Sequence, residues 1–111
     1  MRDLDAERGM TNRGLRQRVI RLYAHRCVYC GERLEPDELT VDHVQPRVKG
    51  GDHSRGNLVA CCRRCNLEKG GMPAWAFLAD RPDLRANFLR FGRHIWPRHR
   101  RAVEEAVQVR G

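Results

Sequence analysis

No run of apolar residues in this chain approaches the roughly 18 needed to cross a membrane as a helix. Residues 1–10 also lack the apolar stretch of a secretory leader. These two absences predict a soluble, cytoplasmic protein with no membrane partner. Aromatic residues are scarce at 6%, yet a hydrophobic content of 41% is enough for a globular fold. No repeat is visible apart from one cysteine spacing that occurs twice. A chain of 111 residues then reads as one domain, with a core small enough to need an added staple.

Acidic residues are in deficit, 14 against 22 Lys and Arg, which leaves a net charge of +8. Such a surplus steers polyanions toward the surface, so nucleic acid is the first candidate partner. Residues 1–10 mix charges of both signs and are expected to form a flexible tail. The single domain then covers 11–111.

Thr11 or Asn12 is placed to cap a helix running to about His25, with Leu15, Val19 and Leu22 as its apolar stripe. Residues 39–44 are β-prone, and 57–60 read as a second short strand. A long loop containing Gly50-Gly51 joins them. Residues 62–69 read as a helix stopped by Gly70-Gly71. The extension over 72–111 reads as helical. It comprises a short helix over 74–80, a second opened by Pro82, and a last one over about 98–109 after Pro97. Leu84, Phe88, Phe91 and Ile95 form the second helix's stripe. Trp75 and Trp96 are expected to pack helices and not to stack bases. The expected class is a small α+β fold with helices at both ends.

Five cysteines are many for so short a chain. In a reducing compartment, paired cysteines read as metal ligands before disulfides. Cys27-x-x-Cys30 and Cys62-x-x-Cys65 are two knuckles of identical spacing. Each places two thiolates on one side of a tight turn, and together they complete a tetrahedral site suited to structural Zn²⁺. A closed four-cysteine site stabilises the fold and leaves no open position for chemistry. A redox dithiol would need only one such pair. Cys61 remains over and reads as a half-buried thiol beside the site.

Between the knuckles lie residues suited to phosphodiester hydrolysis. Asp42 and His43 are adjacent at the end of a strand, so their side chains point to opposite faces and do not form a simple dyad. A division of labour follows, with Asp42 for a cation and His43 for water. Neutral imidazole has the right basicity near pH 7. Asn66, on the helix past the last cysteine, offers a second oxygen ligand. Hard oxygen donors suit Mg²⁺ or Mn²⁺.

The run Cys27-x-x-Cys30-Gly31, Val41-Asp42-His43, Gly50-Gly51, Asn57-Leu58-Val59, Cys62-x-x-Cys65-Asn66, Lys69-Gly70 resembles the HNH endonuclease family in its four-cysteine form. The resemblance implies a ββα-metal core, an antiparallel hairpin packed on a helix, and a one-metal mechanism. It also implies His43 as general base, Asp42 as metal ligand and Asn57 as the residue that fixes the long loop through backbone hydrogen bonds. The family's third position is often His, and here it is Asn66, which makes the chain an H-N-N variant and leaves its preferred cation open. The products implied are 5′-phosphate and 3′-hydroxyl ends on DNA.

Arg47, Lys49 and Arg55 around the loop, with Arg63, Arg64 and Lys69 on the helix, are the expected phosphate contacts. Arg90, Arg93, His94, Arg98, His99, Arg100 and Arg101 form a second basic cluster that either grips flanking duplex or is a solvated face. Cutting both strands would require two sites or two visits, so a dimer is compatible with the sequence. The competing reading is a non-catalytic, zinc-stabilised module that binds nucleic acid. It leaves the joint presence of Asp42, His43, Asn57 and Asn66 without a reason.

Overall fold

The computed structural model describes residues 12–110; the expected tail and Thr11 lie outside them. Helix α1 (Asn12–Leu22) opens the described chain. Val19 and Ile20 are buried along it, and Leu15 and Leu22 pack at the margin, so the apolar stripe faces inward as spaced. The helix ends three residues short of His25. The backbone turns left-handed at Ala24 (φ 55°) and His25 (φ 60°). The amides of Ala24 and His25 donate to the carbonyls of Arg21 and Ile20, closing a Schellman-type end. Arg26 and Arg33 then pair as an isolated antiparallel bridge around the first cysteine knuckle.

Strands β1 (Leu39–His43) and β2 (Leu58–Cys62) form a two-stranded antiparallel sheet, with Leu39 opposite Cys62 and His43 opposite Leu58. The second strand starts one residue later than expected and runs two residues further. Asn57 is the last residue of a 3-10 turn, Arg55–Asn57, and not the first of the strand. The long loop also holds a turn at Arg47–Lys49. Helix α2 (Arg63–Lys69) follows β2 directly and packs on both strands, as α1 does. The hairpin is thereby sandwiched between helices.

Helices α3 (Ala74–Leu78), α4 (Pro82–Phe91) and α5 (Pro97–Arg110) make up the extension. The stripe expected to run unbroken to Ile95 is interrupted, because α4 ends at Phe91 and Gly92 turns the chain. Ile95 is buried all the same, carried back to the core by the turn. Pro97 is the first residue of α5, where its missing N–H costs nothing. Among the described residues no helix is long and apolar enough to cross a membrane.

Candidate active site

The cysteine knuckles converge. The sulfurs of Cys27, Cys30, Cys62 and Cys65 all lie within 4.8 Å of one another. The Cys30–Cys62 separation is 3.9 Å, too long for a disulfide. It is close to the roughly 3.8 Å edge of a tetrahedron with 2.3 Å metal–sulfur bonds. The amides of Cys30 and Cys65 donate to the sulfurs of Cys27 and Cys62 at 3.4 Å, so each knuckle turns an N–H onto its first thiolate. Cys62 also caps α2, where the helix dipole favours negative charge. The Cys65 thiol, donating to Cys27, holds Cys27 down to about 5. That donation, together with burial, pushes Cys65 well up, and burial raises Cys30 to about 11. Four thiolates this close together would repel one another, and the donor set fits a divalent, thiophilic cation. Cys61, expected half-buried, is fully buried on the opposite face of β2, and burial raises its pKa.

Tyr29 sits inside the first knuckle. Its ring is enclosed by Phe77 of α3, edge-on at 5.4 Å, and Phe88 of α4, stacked at 5.6 Å. Its hydroxyl donates to Asp42 Oδ2 at 2.7 Å. On the other side, Lys69 Nζ meets Asp42 Oδ1 at 3.1 Å and the His43 carbonyl at 3.1 Å. Lys69 is 1% exposed, which corrects its assignment as a phosphate contact. Its ammonium is turned inward because a carboxylate buried to 7% exposure needs a charged partner. Burial raises the Asp42 pKa, and the Lys69 charge opposes that rise.

His43 points away from Asp42, as alternation along the strand requires. Its Nε2 lies 3.0 Å from His53 Nδ1, in the long loop. Burial chiefly, then the nearby charges of His53, Arg47 and Lys69, lowers the His43 pKa to about 4. Sequence reasoning missed both His53 and Tyr29. Neither has a spacing relation to His43 or Asp42 that would mark it. Only the loop's path and the knuckle's position bring them in.

Asn57 uses its whole bonding capacity as a latch. Its Oδ1 accepts from the Gln45 amide at 2.8 Å and is 2.9 Å from His99 Nε2. Its Nδ2 donates to the carbonyls of Gln45 (3.0 Å) and Asp52 (2.8 Å). These bonds pin both arms of the loop, and Asp52 Oδ1 accepts from the Ser54 amide at 2.9 Å, setting the turn that carries His53. A Cβ at Gly51 would stand 1.7 Å from the Gln45 carbonyl oxygen, so the latch requires glycine there. A Cβ at Gly56 would strike Trp96 at 2.3 Å. His99 is buried between Trp75 and Trp96, so this member of the C-terminal basic cluster belongs to the interior. Arg100 is likewise spent on the carbonyls of Leu89 and Gly92.

Asn66 lies three residues before Lys69 on α2, on the same side of the helix, and is half-buried. Its side chain makes no hydrogen bond among the described residues. The Asn66 amide oxygen and the Asp42 carboxylate are both donors of the hard oxygen type that suits Mg²⁺. Arg47, Lys49, Arg63 and Arg64 are exposed and Arg55 half-exposed, as phosphate contacts would need to be.

Residues 27–71 match the family model described as HNH endonuclease. The chain is 43% identical over 53 residues to a CRISPR-associated endonuclease Cas9 from Corynebacterium diphtheriae, covering 45% of this chain and 5% of that protein. It is 38% identical over 73 residues to the CRISPR-associated endonuclease Cas9 of Actinomyces naeslundii, covering 61% of this chain and 7% of that protein. The crystal structure of the Type II-C Cas9 enzyme from A. naeslundii superposes with a TM-score of 0.64 at 24% identity, over 87% of this chain and 11% of that one. The chain thus spans a small fraction of the length of these relatives, and the structural match shows the fold.

Proposed function

We propose, from the match of residues 27–71 to the HNH endonuclease model, that this chain hydrolyses DNA phosphodiester bonds, with His43 as the base that takes a proton from water. The observation that carries the proposal is the setting of that imidazole: it follows Asp42 at the end of β1 and one of its nitrogens is engaged by His53 at 3.0 Å. Burial lowers its pKa to about 4, which leaves it unprotonated near pH 7. With Nε2–H donated to His53, the lone pair of Nδ1 is free to accept the proton of water. The water oxygen forms its bond to phosphorus as the bond to the 3′ oxygen breaks, and the leaving oxygen takes a proton from solvent water, giving 5′-phosphate and 3′-hydroxyl ends.

Asp42 and Asn66 would hold Mg²⁺ or Mn²⁺. Such an ion supplies, when bound, neutralisation of charge on the phosphate and the leaving oxygen. Lys69 and Tyr29 orient the Asp42 carboxylate, and each of its oxygens keeps a further lone pair. The four cysteines would hold Zn²⁺ as a structural ion. Arg47, Lys49, Arg55, Arg63 and Arg64 bind phosphates without reading bases.

Supercoiled plasmid incubated with the pure chain, with and without Mg²⁺ or Mn²⁺, tests this. Cation-dependent nicking is expected. His43→Ala should slow it at least about 100-fold, the usual worth of a general base, with zinc content and circular dichroism unchanged. Equal nicking by the variant would remove His43 from the mechanism. Plasmid binding with no nicking under either cation would favour the non-catalytic module.

A further inference from the structure

A cleft of about 560 Å³ opens between the end of α1 and the turn after α4, lined by Tyr23, Arg26, Arg33, Phe91, Arg93 and His94 among others. Among the described residues, no acidic one lines it. Arg26 and Arg33 are directly opposite partners of the antiparallel bridge, a placement in which like charges repel. Arg93 brings a third guanidinium to the same space. None of the three makes an ion pair among the described residues. Glu35 and Glu38 line an adjoining cleft with Arg33 but do not pair with it. Arg26 is fixed in place, donating to the Gly31 carbonyl at 2.7 Å and lying 4.6 Å over the Phe91 ring. The Tyr23 hydroxyl is buried and has no hydrogen-bond partner; the His94 backbone lies near it without a bond of normal geometry.

We propose that this cleft is a second nucleic-acid site that cradles backbone phosphate, apart from the residues assigned to the cut. Three guanidiniums that line one cleft, with no carboxylate in its described lining, suit an anion with several acceptor oxygens. Phosphate in a polyanionic strand is the occupant favoured by a chain with a net charge of +8. His94, in the cleft lining, feels the charge of Arg55, which opens the turn ending at Asn57. The site deepens the nuclease reading by naming where flanking nucleic acid is held, and it does not depend on the chemistry at His43.

The test is binding of a fluorescent DNA duplex by anisotropy, in EDTA-free buffer without Mg²⁺, across a salt series. Arg33→Glu with Arg93→Glu should weaken binding at least tenfold beyond a variant matched in net charge. That control is Arg101→Glu with Arg13→Glu, two exposed residues outside the cleft. The salt slope should flatten by about two, one for each lost phosphate contact. Equal losses in the cleft and control variants would overturn the cradle. Inorganic phosphate or mononucleotide displacing duplex at micromolar concentration would assign the cleft to a small anion and also overturn it. A wild-type chain that binds duplex through the cleft yet never nicks plasmid would defeat the nuclease reading and leave this site standing.

Discussion

At the scale of single residues, the chemistry turns on which nitrogen of His43 is free. The contact between His43 Nε2 and His53 Nδ1 ties one ring nitrogen to the loop. His53 is a positioning residue in this arrangement, acting only through His43. His53→Ala is expected to lower kcat for nicking tenfold or more with KM little changed. His53→Asn, which sets an amide near the former Nδ1, should recover most of the loss. Equal rates for the two variants would show that the contact orients nothing. The depressed pKa has its own consequence. A neutral His43 is favoured in the fold, so the folded chain binds fewer protons there than the unfolded chain. Its contribution to stability is complete above about 6.5 and is lost as pH falls toward about 4. Asp42, raised by burial, acts in the opposite sense. The difference in melting temperature between wild type and His43→Gln should therefore shrink or reverse from pH 7 to pH 4.5. In the same range, kcat/KM for nicking should show no fall centred near 6.5.

At the scale of elements, the hairpin and α2 are joined by the Lys69–Asp42 pair. Both groups are buried, so removing one strands the other. Lys69→Met is expected to destabilise the fold by about 3 kcal/mol, the lower end for breaking a buried pair, measured by urea denaturation. Adding Asp42→Asn to Lys69→Met should recover much of that loss. Failure to recover would mean that Lys69 acts through packing and not through charge. The knuckle is tied to the same carboxylate through Tyr29, which Phe77 and Phe88 hold from the C-terminal helices. Two separate elements, the knuckle and α2, thus fix one side chain, which would suit an oxygen ligand that must be preorganised.

At the scale of the molecule, the four-cysteine cluster and the C-terminal extension clamp the hairpin from two ends. The extension reaches the loop latch through His99 on Asn57 and Trp96 on Gly56. The cluster joins β2, α2 and the first knuckle. Metal binding and folding should be one event. Cys62→Ser, or stripping the metal with a strong chelator, is expected to abolish the cooperative thermal transition and the nicking activity. Adding Mg²⁺ alone should restore neither, and zinc should restore both to the stripped wild type. An unchanged melting curve after the metal is removed would show that the core stands without its staple.

Local chemistry along the chain was enough to reveal the knuckles, the hairpin–helix order, most of the outward-facing basic residues and the separate surroundings of the Asp42 and His43 side chains. Each depends on a short spacing or on strand alternation, which sequence carries directly. The inward turn of Lys69, the early end of α1 at Ala24, and the partnerships of Tyr29, His53 and His99 required the folded chain. They arise from burial and from contacts between segments remote in sequence. A lysine looks the same whether it meets water or a buried carboxylate, and a histidine in a basic run looks the same whether it faces solvent or lies between two tryptophans. Only packing determines the dielectric around them, and with it their role.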